Sequence, residues 1–165
     1  MARLNALPEP EARLALERCC GAARWVQGML AGRPYESAQA LLRRADAVWS
    51  TLGANDYLEA FSHHPEIGAG VAELRQKFAA TAELSQREQA GAAGASDATL
   101  HALGRQNRAY RERFGYLFIV CASGKSAHEM LALLEARLDH APEAELAIAA
   151  AEQAKITRLR LEQLP

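Results

Sequence analysis

Apolar residues recur at helical spacing along most of this chain, and glycine and proline interrupt the apolar stretches. In the N-terminal half, this pattern predicts a first helix over about residues 9–20 and a second over about residues 22–31. Ser37 is placed to cap a third helix, and Asn55 is placed to cap a short fourth helix that ends near Phe61. The N-terminal half is therefore predicted to be helical.

The C-terminal half shows the same pattern with one exception. A helix is predicted from Asp97 to a stop at Gly115, and the SAHE sequence at 126–129 has capping-box spacing. Residues 116–122, YLFIVCA, resemble a strand, but a single strand cannot form a sheet, so they are predicted to be a buried connector. Pro142 opens a long last helix. Its predicted apolar stripe consists of Leu146, Ala150, Ala154, Thr157 and Leu161.

The fold predicted from these elements is all-α. Residues 1–165 show no internal repeat and no composition break, so we expect one domain, a helical bundle of about seven to nine helices. Half of the residues are apolar, which suffices for a hydrophobic core without disulfide crosslinks.

Charge and cysteine content narrow the possible partners and location. The 19 basic and 20 acidic side chains nearly cancel, so neither nucleic acid nor an anionic membrane is expected as a partner. No signal peptide and no apolar run of membrane-spanning length is evident. Three cysteines, two of them adjacent, do not form a disulfide framework. A reducing, cytoplasmic location is expected.

The stretch SHHPEIG at 62–68 raises the main question of chemistry. Histidine at a helix C-terminus is favourable for the helix dipole, and Pro65 ends a helix whatever its function. His64 could instead be presented there as a general acid or base. Glu88 is equally open, because it has capping-box spacing from Ser85 and could also pair with a histidine.

Three other kinds of site find little support. The SGKS sequence at 123–126 lacks a phosphate-loop pattern, because Ile119 stands where that pattern needs glycine. The histidines show no zinc-type spacing, so no metal is expected. Cys121 lies in an apolar run and is predicted to be a buried residue and not a nucleophile.

Four motifs in order carry a resemblance to a known family. SHHPEIG, SQREQAG at 85–91, QNRAYRERFGYLFIVCASGKS at 106–126 and AKITRLRLEQL at 154–164 together resemble the 2-oxo-4-hydroxy-4-carboxy-5-ureidoimidazoline (OHCU) decarboxylases. The resemblance implies an all-helical, cofactor-free and homodimeric enzyme of urate breakdown. Such an enzyme converts OHCU to (S)-allantoin and carbon dioxide.

The resemblance also implies a set of site residues. His64, the histidine directly before the proline, would be catalytic, with Glu88 as its acidic partner. The implied substrate contacts are Pro65, Ser85, Gln89, Phe118, Ile119, Val120, Cys121 and Arg160. Leu117 departs from the family, which commonly has proline there.

The implied reaction is compatible with these residue types. The substrate carbon that loses carbon dioxide adjoins a C=N unit, which can accept the electron pair without a cofactor. An imidazole near neutral pH can move the protons, and an arginine can bind a carboxylate or carbonyl. Two alternatives stay open at this point: a metal-dependent ureide hydrolase, and a non-catalytic helical module that binds a purine derivative.

Overall fold

The computed structural model describes residues 2–64 and 97–164. Within these two ranges the chain forms eight helices and no strand, so the all-α prediction is confirmed. In chain order the helices are α1 (Ala2–Ala6), α2 (Glu9–Glu17), α3 (Ala23–Ala31), α4 (Ala38–Trp49), α5 (Ala54–Ser62), α6 (Asp97–Phe114), α7 (Ala127–Leu138) and α8 (Pro142–Glu162). No helix in the described ranges is long and apolar enough to cross a membrane.

The described residues group into two compact units. The first unit contains residues 2–64, 119–121 and 146–164, and the second contains residues 97–118 and 122–145. Helix α8 contributes its first turn to the second unit and its remaining turns to the first. That residues 1–165 form a single domain stays a prediction.

Polar caps define several helix starts as predicted. The Ser37 hydroxyl oxygen accepts a hydrogen bond from the Ala40 amide at 3.0 Å. At the start of α7, Ser126 and Glu129 form the reciprocal capping box, with the Ser126 amide donating to Glu129 at 2.7 Å. This hydrogen bonding lowers the pKa of Glu129. Gly115 ends α6 with a φ of 80°, a left-handed conformation that favours glycine.

Two helix predictions were wrong in detail, and one helix was missed. The predicted Asn55 cap is incorrect, because α5 begins at Ala54 and Gly53 is the capping position. The Gly53 amide donates to the Asp56 carboxylate at 2.9 Å, so the side chain that stabilises this start lies inside the helix. The first predicted helix ends early, at Glu17. The short helix α1 was not predicted.

The first unit packs around α3, which contacts α2, α4 and α5. Trp25 and Met29 of α3 are completely buried, and the Trp25 indole donates to the Ala45 carbonyl of α4 at 3.3 Å. Trp49 of α4 donates to the Ala150 carbonyl of α8 at 3.2 Å. These bonds satisfy buried indole N–H groups and anchor α8 in this unit.

The second unit is built on the packing of α6 against α7. Its buried residues include Leu100, Leu103 and Tyr110 of α6 and Leu134 of α7. The connector prediction for residues 116–122 is confirmed, since these residues are neither helix nor strand and Phe118 through Cys121 are buried.

Candidate active site

Helix α8 presents polar side chains on its buried face. Glu145, Gln153 and Thr157 are all buried, although they carry polar or charged groups. They share one stripe with Ala149 and Leu161, because positions four apart lie on the same side of a helix. Gln153 and Thr157 belong to the first unit, and Glu145 belongs to the second.

His64 lies just beyond α5 and contacts this face of α8. Its Nε2 atom lies 2.5 Å from Oε1 of Gln153, a hydrogen bond between residues 89 positions apart. The backbone amide of His64 donates to the Phe61 carbonyl at 3.1 Å, which fixes the turn that follows the helix. His64 is half-buried, whereas His63 is exposed. The structure therefore fixes the imidazole of the second histidine.

A chain of hydrogen-bonded side chains continues from Gln153. Its side-chain nitrogen donates to the Thr157 hydroxyl at 3.1 Å, and Thr157 contacts the Cys20 thiol. Burial raises the pKa of both Cys19 and Cys20 to about 11, so both thiols are protonated at neutral pH. These cysteines serve as packing and hydrogen-bonding groups.

Arg160 borders an open cavity of about 640 Å³ in the first unit. Its Nη1 atom donates to the carbonyls of Arg18 and Cys19, each at 3.3 Å. His63 also lines this cavity. Arg158, two residues earlier, forms an exposed ion pair with Asp46 at 3.1 Å and does not line the cavity.

The approach of His63 to the N-terminal part of the chain is close. A Cβ atom built on Gly21 would lie 2.2 Å from Cγ of His63 and 2.7 Å from its Cβ. Such distances are far below van der Waals contact, so only glycine fits at position 21 without a shift of the histidine segment.

The segment from Ile119 to Cys121 also reaches α8 in the first unit. The Cys121 amide donates to the Glu152 carboxylate at 2.7 Å. Glu152 forms a further ion pair with Lys155 on the same helix. Cys121 is buried, as predicted. One helix thus contacts His64, the Cys121 segment and, through Arg160, the end of α2.

Phe118 belongs to the second unit, where its ring lies beneath a guanidinium. The Cζ atom of Arg137 is 4.6 Å from the centre of the Phe118 ring, and Tyr110 packs edge-on against that ring at 5.2 Å. Arg137 in turn donates to the buried Glu145 carboxylate from Nε at 2.8 Å. A buried ion pair therefore supports this aromatic residue.

Four predicted site residues lie outside the described residues, namely Pro65, Ser85, Glu88 and Gln89. Within residues 2–64 and 97–164, no three His, Cys, Asp or Glu side chains lie together in a way that could hold a metal ion.

Comparison with known proteins identifies the family. A family model described as OHCU decarboxylase matches residues 5–162. The chain belongs to the OHCU decarboxylase family. A crystal structure of OHCU decarboxylase in the presence of (S)-allantoin shares 34% sequence identity with it, with a TM-score of 0.73 over 89% of this chain and 94% of that one.

The curated relatives of this chain differ from one another in how much of their own length the chain covers. It is 37% identical over 146 residues to the uric acid degradation bifunctional protein TTL of Arabidopsis thaliana. That match covers 88% of this chain but 45% of the plant protein, so the chain spans less than half of that relative. The 2-oxo-4-hydroxy-4-carboxy-5-ureidoimidazoline decarboxylase of Amia calva is 27% identical over 90% of this chain and 82% of its own length.

The sequence analysis did not assign a role in the site to three residues that contact the predicted site residues or lie next to one that does. Gln153 and Thr157 are buried polar residues of α8, and Glu152 binds the Cys121 amide. Thr157 was predicted to lie on the buried stripe, but only as a packing residue. A signal was available for Gln153, since it lies four residues before Thr157.

Proposed function

We propose that this protein catalyses the decarboxylation of OHCU to (S)-allantoin, with His64 as the general acid and base. The observation that carries the proposal is the family match over residues 5–162. The geometry of the first unit supports it, because the half-buried His64 imidazole forms a hydrogen bond with Gln153 of α8, the helix that also bears Arg160.

The chemistry needs no electron sink from the protein. As carbon dioxide leaves, the electron pair of the broken C–C bond forms a C=C bond in the ring, while the electron pair of the adjoining C=N double bond moves onto the ring nitrogen, which takes up a proton. Loss of the hydroxyl proton then gives the ring carbonyl, and the neighbouring carbon takes up a proton. A single imidazole that accepts and returns a proton can serve both transfers near neutral pH.

The other proposed residues have separate roles. Arg160 would bind a carboxylate or carbonyl of the substrate through its planar fork. Glu88 would orient the imidazole or bind the ureido group, while Pro65, Ser85, Gln89, Phe118 and the Ile119–Cys121 backbone would contact the ring and its polar edge. A proton donor fixed on one side of a planar intermediate gives one enantiomer of the product.

The activity is tested by generating OHCU in situ from urate and following its loss by absorbance. Circular dichroism reports the handedness of the allantoin that forms. We expect rapid formation of the S enantiomer in the presence of excess chelator. A rate equal to that without protein would refute the proposal, and loss of activity in chelator would favour the metal-dependent hydrolase.

The two adjacent histidines provide a matched pair of variants. His64→Ala should reduce turnover by about 100- to 10,000-fold, the range for loss of a general acid or base. His63→Ala should retain substantial activity. An inactive His63 variant beside an active His64 variant would reverse the assignment.

The resemblance also supports a cytoplasmic homodimer, which we propose as its cellular form. Sedimentation equilibrium of the purified protein tests the dimer, and a mass equal to that of one chain would contradict it.

A further inference from the structure

Glu152 of α8 binds the backbone of the segment from Ile119 to Cys121. Its carboxylate accepts a hydrogen bond from the Cys121 amide at 2.7 Å, between residues 31 positions apart. A hydrogen bond to an ionised oxygen is about twice as strong as one between neutral groups. The last residue of this segment is therefore fixed to α8 by a strong bond.

The burial of Glu152 shows that this side chain does more than form a surface ion pair. Its side chain is 14% exposed, whereas that of its ion-pair partner Lys155 is 62% exposed. Exposed ion pairs contribute little to stability, and a carboxylate withdrawn from water needs hydrogen-bond donors. The Cys121 amide supplies such a donor from within the protein, and Lys155 balances the charge at the surface. The two contacts can therefore be removed separately.

Consecutive residues of α8 contact two parts of the proposed site. Gln153 contacts Nε2 of His64, and Glu152 contacts the Cys121 amide. Adjacent side chains of a helix point about 100° apart, and the helical backbone holds that relation fixed. One turn of α8 therefore relates the position of His64 to that of the segment from Ile119 to Cys121.

We propose that Glu152 is a positioning residue that sets where the segment from Ile119 to Cys121 lies relative to His64. The catalytic part of this inference rests on the proposed function, in which the segment contacts the substrate ring. The Cys121 N–H is used by Glu152, so the contact with the substrate is made by other groups of the segment.

Hydrogen exchange measured by NMR tests the positioning without any substrate. In Glu152→Met the Cys121 amide loses this acceptor, so it should exchange about 10- to 100-fold faster, the equivalent of one hydrogen bond to a charged group. The Met29 amide, in the buried centre of α3, reports global unfolding and should exchange at the wild-type rate. Unchanged exchange at Cys121, or equal acceleration of both amides, would overturn the proposal.

Three variants connect the segment to the substrate. Glu152→Met should raise KM by about tenfold or more, because displaced contacts weaken substrate binding. Its kcat should fall less, since His64 keeps its contact with Gln153. Glu152→Gln keeps an oxygen acceptor for the Cys121 amide and should recover most of the loss. Lys155→Met is the matched control, because it removes the ion pair but leaves the bond to Cys121, and it should keep the wild-type constants.

The outcomes distinguish this proposal from the proposed function. If the wild-type enzyme is active and Glu152→Met keeps the wild-type KM, the positioning role is refuted while the decarboxylase activity stands. A rise in KM shared by Lys155→Met would assign the effect to the ion pair, and a Glu152→Gln variant as impaired as Glu152→Met would assign it to the charge; either result refutes the positioning role. If the wild-type protein is inactive, the proposed function fails, and exchange of the Cys121 amide alone decides whether Glu152 holds the segment.

Discussion

Replacing Arg137 with methionine should destabilise the second unit by removing half of the support for a buried carboxylate. Glu145 is completely buried and accepts four hydrogen bonds. Two come from Arg137, from Nε at 2.8 Å and from Nη2 at 2.5 Å, one comes from the Tyr110 hydroxyl, and one involves Nδ1 of His140 at 2.8 Å. Methionine fills similar volume but offers the carboxylate no donor.

The expected loss can be worked out from these contacts. Removing one partner of a buried ion pair costs about 3–5 kcal/mol, because the other charge stays buried without compensation. Tyr110 and His140 still contact the carboxylate, which places the cost at the lower end of that range. Loss of the guanidinium over the Phe118 ring adds about 2 kcal/mol, because both groups are buried. We expect a total of about 5 kcal/mol, or a fall in Tm of roughly 10–20 °C.

The pH dependence of this loss follows from the pKa of Glu145. Burial alone would raise this pKa, but hydrogen bonds from Arg137, Tyr110 and His140 outweigh burial and hold it below its usual range. In the wild type, the carboxylate therefore contributes stability above the unfolded pKa of about 4.3, and this contribution is lost as the pH falls through the folded value. In the variant, burial dominates and raises the pKa, so protonation relieves the buried charge. The difference between the two proteins should be largest at neutral pH and shrink in acid.

Urea unfolding followed by far-UV circular dichroism at about pH 7 and pH 5 measures both effects. Arg105→Met, at an exposed position of α6, is the control and should change the unfolding free energy by less than about 0.5 kcal/mol. Adding Glu145→Gln to Arg137→Met should recover much of the loss, because the amide is neutral. A loss below about 1 kcal/mol at neutral pH, or an equal loss at both pH values, would refute the reasoning.

Two further predictions concern the first unit. Arg160→Lys should raise KM or lower kcat by about tenfold or more, because an ammonium group cannot reproduce the planar guanidinium fork of arginine. Arg158→Lys should change neither constant. Equal, mild effects of both substitutions in steady-state kinetics would remove Arg160 from the site. Gly21→Ala should displace the His63 segment and lower kcat/KM, while Gly53→Ala, where a Cβ meets nothing within 4 Å, should leave the kinetics unchanged. Wild-type kinetics in the Gly21 variant would show that the segment adapts at no cost.

Helix starts were predictable where one side chain near the boundary supplies the cap. Ser37 and Ser126 satisfy orphan amides at their helix starts, and both were identified from spacing. Asn55 was wrong because it lies beside Asp56, whose carboxylate reaches back to the Gly53 amide. When two neighbouring residues both have side chains that can cap a helix, helix-capping propensity alone does not tell which of them does so. Helix α1 has five residues, too few to show a periodic pattern.

The buried face of α8 shows why the candidate site was only partly predictable. The predicted stripe is buried at Ala150, Thr157 and Leu161, but Leu146 and Ala154 are only half-buried. Glu145, Ala149 and Gln153 are buried as well. Apolar periodicity places polar residues in solvent, so it does not identify Glu145 and Gln153, which are buried with their hydrogen-bond partners. His64 was identifiable from its motif, but its contact with Gln153 depends on tertiary packing.

Buried polar groups on α8 also set a limit on how this protein can be redesigned. A computational search for a tighter core would replace Gln153 and Thr157 with aliphatic residues, since apolar substitution of a buried polar pair is often neutral or stabilising. The redesigned protein would unfold at a higher temperature and would lose the hydrogen bond between Gln153 and His64. Directed evolution that screens for heat resistance alone should therefore drift toward inactive variants at these two positions. Thermostabilising libraries should keep both residues fixed and diversify exposed apolar positions such as Leu133.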